Sequence, residues 1–347
     1  MRIVVVGAGM SGLCCARLLA EQGHDIVVVS ADAMPRTTSY LAAAVWFPTA
    51  VGPAEAVARW SADTFDVLAA ESAAGVPGVM MRETLVLNRD PGAPGQPLPE
   101  WSRAVGDVRA ARPDELPPGY HHGLRFVVPL VEMPAYLPNL WNEVQASGAQ
   151  QVVRRLTSLS EVLDLDPELV INAAGMAAGG LVGDDSMFPI RGQIVRVTNP
   201  GLDLSVRDEM HPGGRAYVHP RSTDCILGGT LDVGTWDTAP DAAETAAILE
   251  RCTDIAPRLA TCRVIETVVG LRPGRAEVRV ELDQDLLPVP VIHNYGHGGA
   301  GITVGWGCAR DVTAYVRQVE ALSANPGQPS GIGGEDRVLA ADARAGT

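Results

Sequence analysis

Arg2-Ile3-Val4-Val5-Val6-Gly7-Ala8-Gly9-Met10-Ser11-Gly12 runs from a short buried-strand pattern straight into a GxGxxG turn. A good helix follows over Leu13–Gln22 and ends at Gly23, and a second strand, Ile26–Val29, closes a βαβ unit. In that context each glycine is needed for a different reason. The first turns tightly, the second admits a pyrophosphate, and the third lets helix and strand pack. The helix start presents backbone N–H groups and a positive dipole end to phosphate. Asp32 lies 20 residues after Gly12, just past the second strand, where an acidic group accepts from an adenosine ribose hydroxyl. The other reading of Asp32 is a solvated turn residue.

Bulk composition narrows the class. A chain of 347 residues buries roughly three quarters of its unfolded surface and makes one or two domains. Hydrophobic content of 46% with 20% charged residues is that of a soluble globular enzyme. No apolar run approaches the ~20 residues of a membrane span. A net charge of −14 argues against a nucleic-acid partner, since a phosphate backbone is repelled. Six cysteines without CxxC spacing suggest neither a metal site nor a disulfide framework. The apolar run before Gly7 is too short for a signal peptide, and Ala345-Gly346-Thr347 carries no peroxisomal address, so a cytoplasmic location is expected.

Further along, Thr37-Thr38-Ser39 and the small apolar Leu41-Ala42-Ala43-Ala44-Val45-Trp46 interrupt the next crossover of a simple Rossmann protein. The three hydroxyls either touch phosphates or cap a helix. Ala54–Ala73 reads as a long amphipathic helix, Val79–Asn88 as a strand, and Pro91–Pro99 as a loop. Met133, Leu137, Leu140, Trp141 and Val144 stripe one face of a helix, and Val152–Leu156 and Leu169–Ala173 resume the dinucleotide sheet. Gln193–Thr198, Ala216–His219, Cys225–Leu231 and Val264–Leu271 read as strands, with a helix over Ala242–Ile255 between them. This order predicts an α/β protein: a discontinuous Rossmann-like domain (1–50, 130–190 and 265–325) with an inserted antiparallel-β-rich substrate domain (51–129 and 191–264). The Gly/Pro/Ala/Asp-rich 326–347 reads as a disordered tail.

Two stretches carry chemistry. His293-Asn294-Tyr295-Gly296-His297-Gly298-Gly299-Ala300-Gly301 reads as strand, glycine turn and helix start, with four glycines in six residues. It is a close-approach ligand site or a bare tight turn. Arg272, in Gly270-Leu271-Arg272-Pro273, has a planar fork suited to a carboxylate, or else sits in a surface ion pair. Tyr217 offers a phenol on a strand, or is a core-edge tyrosine.

Together these motifs resemble the D-amino-acid oxidase family: the GAGMSG turn, Thr37–Ser39 with Ala43–Trp46, Arg191-Gly192-Gln193, Leu227-Gly228-Gly229-Thr230, Gly270–Pro273 and Val291–Gly301 fall in family order. The resemblance implies FAD, with the ADP moiety at Gly7, Ala8, Gly9, Met10, Ser11, Gly12 and Asp32. The rest of the cofactor is implied at Thr37, Thr38, Ser39, Ala44, Val45, Leu156, Arg272, Gly298, Gly299, Gly301, Ile302 and Thr303. It implies that Arg272 binds the substrate α-carboxylate, Tyr217 adds a second bond, and the Gly299 carbonyl accepts from the α-amino group. The implied reaction is hydride transfer from Cα of a D-amino acid to flavin N5 with O2 as final acceptor, giving 2-oxo acid, ammonia and H2O2. No catalytic side chain is needed beyond FAD, no metal is required, and His293 and His297 frame the site rather than act as bases. A homodimer is one expectation, and the sequence leaves the oligomeric state open.

The chain departs from the family pattern near Tyr217. Eukaryotic members carry a second tyrosine on a lid where this chain has His211-Pro212-Gly213-Gly214-Arg215. A reduced lid is expected, with bulky or branched neutral side chains accepted and no slow lid step. Arg207 and Arg215 raise the alternative of acidic D-amino acids, as in D-aspartate oxidases, although Leu231 stands where those enzymes have an arginine. The remaining alternatives are a nicotinamide-dependent dehydrogenase and a non-catalytic flavin-binding protein.

Overall fold

Val4, Val5 and Val6 are nearly inaccessible although their side chains alternate, because the strand Arg2–Val6 is covered on both faces. It is central in a six-stranded sheet ordered Arg279–Asp283, Val291–Tyr295, Leu169–Asn172, Arg2–Val6, Asp25–Ser30, Gln150–Val153. All neighbours run parallel except the edge strand Arg279–Asp283. Helices Met10–Glu21, Met133–Ala146 and Gly301–Ala324 bury one face through Leu13, Leu137, Leu140 and Trp306. Leu159 and Val162 cover the other face. In this computed structural model the described residues are 1–33, 37–47, 51–90, 98 and 101–324. The expected tail and most of the Pro91–Pro99 loop lie outside them.

A second sheet of nine strands is antiparallel apart from the parallel pair Val79–Asn88 and Ser205–Asp208. Its core packs on the helix Ala242–Ile255 through Val195, Val218, Leu227, Ile248 and Cys252. The α/β class with a parallel nucleotide-type sheet and an antiparallel one therefore agrees with the sequence expectation.

The segment boundaries differ in two places. Val264–Gly274, assigned from sequence to the last Rossmann segment, pairs along its length with Phe188–Thr198 in the second sheet. Its chain returns to the first sheet only at Arg279. The helix Ala54–Ala73, assigned to the substrate domain, packs on the C-terminal helix through Val57, Trp60, Val304 and Cys308. There a Cβ on Gly307 would lie 2.4 Å from the Trp60 carbonyl oxygen, so the two helices cross backbone to backbone. Cys225–Leu231 is a strand only to Gly228, and Val152–Leu156 pairs only to Val153, leaving Leu156 in a loop.

Candidate active site

A cavity of about 810 Å³ reaches from the first glycine turn to the second sheet. Gly7 takes φ +120°, and a side chain there would strike the Ala173 carbonyl; a Cβ on Gly12 would lie 1.9 Å from the Gly7 carbonyl. These two glycines let strand, turn and helix close on one another. Gly9, the N-cap residue of the Met10–Glu21 helix, has no side chain with which to cap it. Gly7, Ala8, Gly9, Met10 and Ser11 line the cavity there. Asp32 lines the same end, paired with Arg155 at 2.9 Å.

Thr37, Thr38 and Ser39 line the middle. Thr37 Oγ1 accepts from Tyr40 N, a helix cap, and Ser39 Oγ accepts from Met10 N at 3.1 Å, while Thr38 donates to the Leu271 carbonyl. Ala44 and Val45 follow, Ala44 in the left-handed region at φ 56° with its carbonyl accepting from Val131 N. Leu156, Gly298, Gly299, Gly301 and Ile302 also line it. Gly12 and Thr303 do not: Gly12 is packed as above, and Thr303 Oγ1 accepts from Phe47 N and donates to Phe47 O at 3.2 and 3.1 Å. Their contributions are to hold the walls.

At the far end, strand alternation explains the composition. Along Phe188–Thr198, Ile190, Gly192 and Ile194 face the cavity. Arg191 and Gln193 face away and hold the loop after Asp232 through the carbonyls of Asp237, Ala239 and Asp241. On the paired strand, Arg272 stands opposite Ile190 and lays its guanidinium over Gly192, where a Cβ would be 2.3 Å from Nη1. Nη1 donates to the Thr230 carbonyl at 3.1 Å, and among the described residues no carboxylate pairs with Arg272. Tyr217 crosses Gly228 and Gly229 in the same way, its hydroxyl 2.2 Å from where a Gly228 Cβ would stand. Burial pushes its phenol up, so it stays protonated and able to donate. Gly298 N donates to the Pro273 carbonyl at 2.7 Å, which ties the C-terminal glycine turn to the end of the Arg272 strand.

The two histidines separate. His297 lines the cavity, with Nε2 3.0 Å from Asn294 Oδ1 and Nδ1 3.4 Å from Ser11 Oγ, so it links the two glycine turns. Burial pushes it down to about 4, and it is neutral at neutral pH. His293 is fully buried away from the cavity, beside Asp283.

The sequence matches the family model described as "FAD dependent oxidoreductase" over residues 2–315. It is 47% identical to a D-amino-acid oxidase of Rubrobacter xylanophilus over 313 residues, covering 90% of this chain and 95% of that protein. The chain belongs to the D-amino-acid oxidase family of FAD-dependent oxidoreductases. A human D-aspartate oxidase is another member, 34% identical over 92% of this chain and 96% of its own length. Among solved structures, a glycine oxidase from Bacillus cereus superposes with a TM-score of 0.75 at 21% identity, over 92% of this chain and 95% of that one, which concerns the fold alone.

The donor set fits the family cofactor. A helix start with a glycine N-cap and a carboxylate at one end, and a glycine turn with a helix start at the other, face one continuous cavity. Beyond Tyr217 this family member has features that its motifs did not announce. Arg207 lies with its guanidinium 3.9 Å from the centre of the Phe47 ring and pairs with Glu209, while Glu209 also meets Arg215 at 3.3 Å. His219 stacks on Tyr217 at 4.9 Å and bonds Ser205 Oγ at 3.1 Å; burial and the Arg207 charge hold it neutral. Leu231 and Val233 complete the mouth. Glu209, His219 and Phe47 went unread because nothing local marks them. The pairing of Ser205–Asp208 with Ala216–Pro220 sets Arg207, the partner of Glu209 and Phe47, opposite Tyr217, on which His219 stacks.

Proposed function

We propose that this protein oxidises D-amino acids to imino acids, which hydrolyse to 2-oxo acids and ammonia, with O2 as the final acceptor and H2O2 as the product. The observation that carries the reading is Arg272: a guanidinium on the cavity wall, braced by a carbonyl, without a carboxylate partner among the described residues. A substrate α-carboxylate supplies that partner through a charge-assisted, bidentate bond. The protonated Tyr217 donates a further bond, and the Gly299 carbonyl accepts from the α-amine. Bound FAD would supply the two-electron acceptor for the Cα hydride, with O2 and one proton regenerating it as H2O2 forms. Gly7–Gly12 and Asp32 would hold its ADP portion, and Thr37–Ser39, Ala44, Val45, Leu156 and Gly298–Thr303 the remainder. The residues of the chain bind and orient: with carboxylate and amine fixed, only one enantiomer aims its Cα–H inward while its side chain enters the pocket.

Replacing Arg272 by leucine tests this. The variant is expected to keep its flavin spectrum and lose at least about a hundredfold in kcat/KM for D-methionine. Undiminished oxidation would refute the assignment. A second reading, preference for acidic D-amino acids, has Arg207 and Arg215 in the cavity wall in its favour.

A further inference from the structure

We infer that Glu209 is a resident carboxylate that occupies Arg207 and makes this oxidase reject acidic side chains; the inference rests on the D-amino-acid reading above. The strand Ser205–Asp208 pairs antiparallel with Ala216–Pro220 so that Arg207 stands opposite Tyr217. Paired residues project from the same sheet face. Arg207 and Tyr217 both line the cavity. Arg207 is therefore one strand beyond the phenol that meets the α-carboxylate, on the side of Phe47 and away from Arg272.

Arg207 is only 8% exposed, and its Nε is buried without a hydrogen-bond partner. A charge held this far from water needs a counter-ion. Its anionic partner is Glu209, reached through Nη2, and the other Glu209 oxygen lies 3.3 Å from Arg215 Nε. One carboxylate thus bridges two guanidinium groups on the cavity wall. It occupies the place where the γ- or δ-carboxylate of a bound amino acid would find its cation.

An acidic substrate must displace an internal partner two residues away along the chain, whose effective concentration is high, and must approach a negative charge to do so. A cationic side chain meets two guanidinium groups and one carboxylate. A neutral side chain disturbs none of these and lies against Leu231 and Val233.

The test is discrimination between isosteres by the FAD-loaded enzyme. In the wild type, kcat/KM for D-glutamine should exceed that for D-glutamate by about tenfold or more, a comparison that needs no variant. In Glu209→Gln the ratio of D-glutamate to D-glutamine should rise by about tenfold or more, mainly through the KM of D-glutamate. Glu209→Asp should restore discrimination, and Glu209→Gln combined with Arg207→Gln should abolish the gain. A wild type that prefers D-glutamate, an unchanged ratio in Glu209→Gln, or a gain that survives removal of Arg207 would each overturn the inference. Oxidation of D-methionine in parallel separates the two levels. If the wild type oxidises D-methionine and the ratio stays put, only the Glu209 assignment fails; if it oxidises no D-amino acid, the functional reading fails.

Discussion

A methyl group at Gly192 would lie 2.3 Å from Arg272 Nη1 and Nη2, the flexible far end of that side chain. Gly192→Ala is therefore expected to push the guanidinium aside without breaking the sheet. Unfolding stability should change by less than about 1 kcal/mol, FAD should be retained, and kcat/KM for a D-amino acid should fall about ten- to hundredfold. Steady-state kinetics beside a urea melt would check it, and wild-type kinetics would contradict it. His297 supports a second expectation at this scale. Its folded pKa of about 4 lies below the ordinary value of 6.5. The unfolded chain then binds the extra proton between those values, so this contribution is full above pH 6.5 and is lost as pH falls toward 4. It amounts to roughly 3 kcal/mol. A His297→Gln variant should lose less stability than the wild type between pH 7 and pH 4.5, measured by denaturant melts. That Arg272 and Tyr217 line one cavity was legible in the chain, because motif order and residue chemistry single them out. Glu209 and His219 were not, since each acquires its role only from a neighbouring strand.

At the scale of elements, the segment from Thr37 to Phe47 is strung between the second sheet and the C-terminal helix by its backbone. Trp46 N donates to the Pro129 carbonyl, Val131 N to the Ala44 carbonyl, and Thr303 closes both polar groups of Phe47. Thr303→Val removes a donor and an acceptor at once and leaves the Phe47 N–H and C=O unpaired. A loss of about 1–3 kcal/mol is expected, together with weaker FAD binding, because Ala44 and Val45 line the cavity. Fluorescence titration of the apoprotein with FAD would show it. Two long helices, Ala54–Ala73 and Ala242–Ile255, were readable over their whole length. Their apolar stripes repeat often enough to identify them. Ser205–Asp208 and Arg279–Asp283 were not: Ser-Val-Arg-Asp holds a single apolar residue, and the alternation of Arg-Val-Glu-Leu-Asp spans too few residues to separate a strand from a loop. Their strand character comes from the neighbours they pair with.

For the whole molecule, the cavity joins elements far apart in sequence: the first glycine turn, the Thr37–Phe47 segment, the second sheet and the C-terminal turn. A ligand spanning them stabilises all at once. FAD at about a hundredfold above its Kd should raise unfolding stability by about 2.7 kcal/mol. NAD should do so far less, which thermal melts of the apoprotein would establish. That strands from separated stretches share the first sheet was foreseeable from the recurrence of strand patterns along the chain. The home of Val264–Gly274 was not, since only its register with Phe188–Thr198 places it beside the second sheet.

Enantiomer choice is the property that Arg272, Tyr217 and Gly299 set most directly. Peroxide release and 2-oxo acid formation should be measured with the FAD-loaded protein on D- and L-methionine in parallel. Equimolar peroxide and 2-oxo acid from the D-form, with none above background from the L-form, is the result predicted by Arg272, Tyr217 and Gly299 acting as one clamp. Equal turnover of both enantiomers, or no peroxide from either, would contradict it.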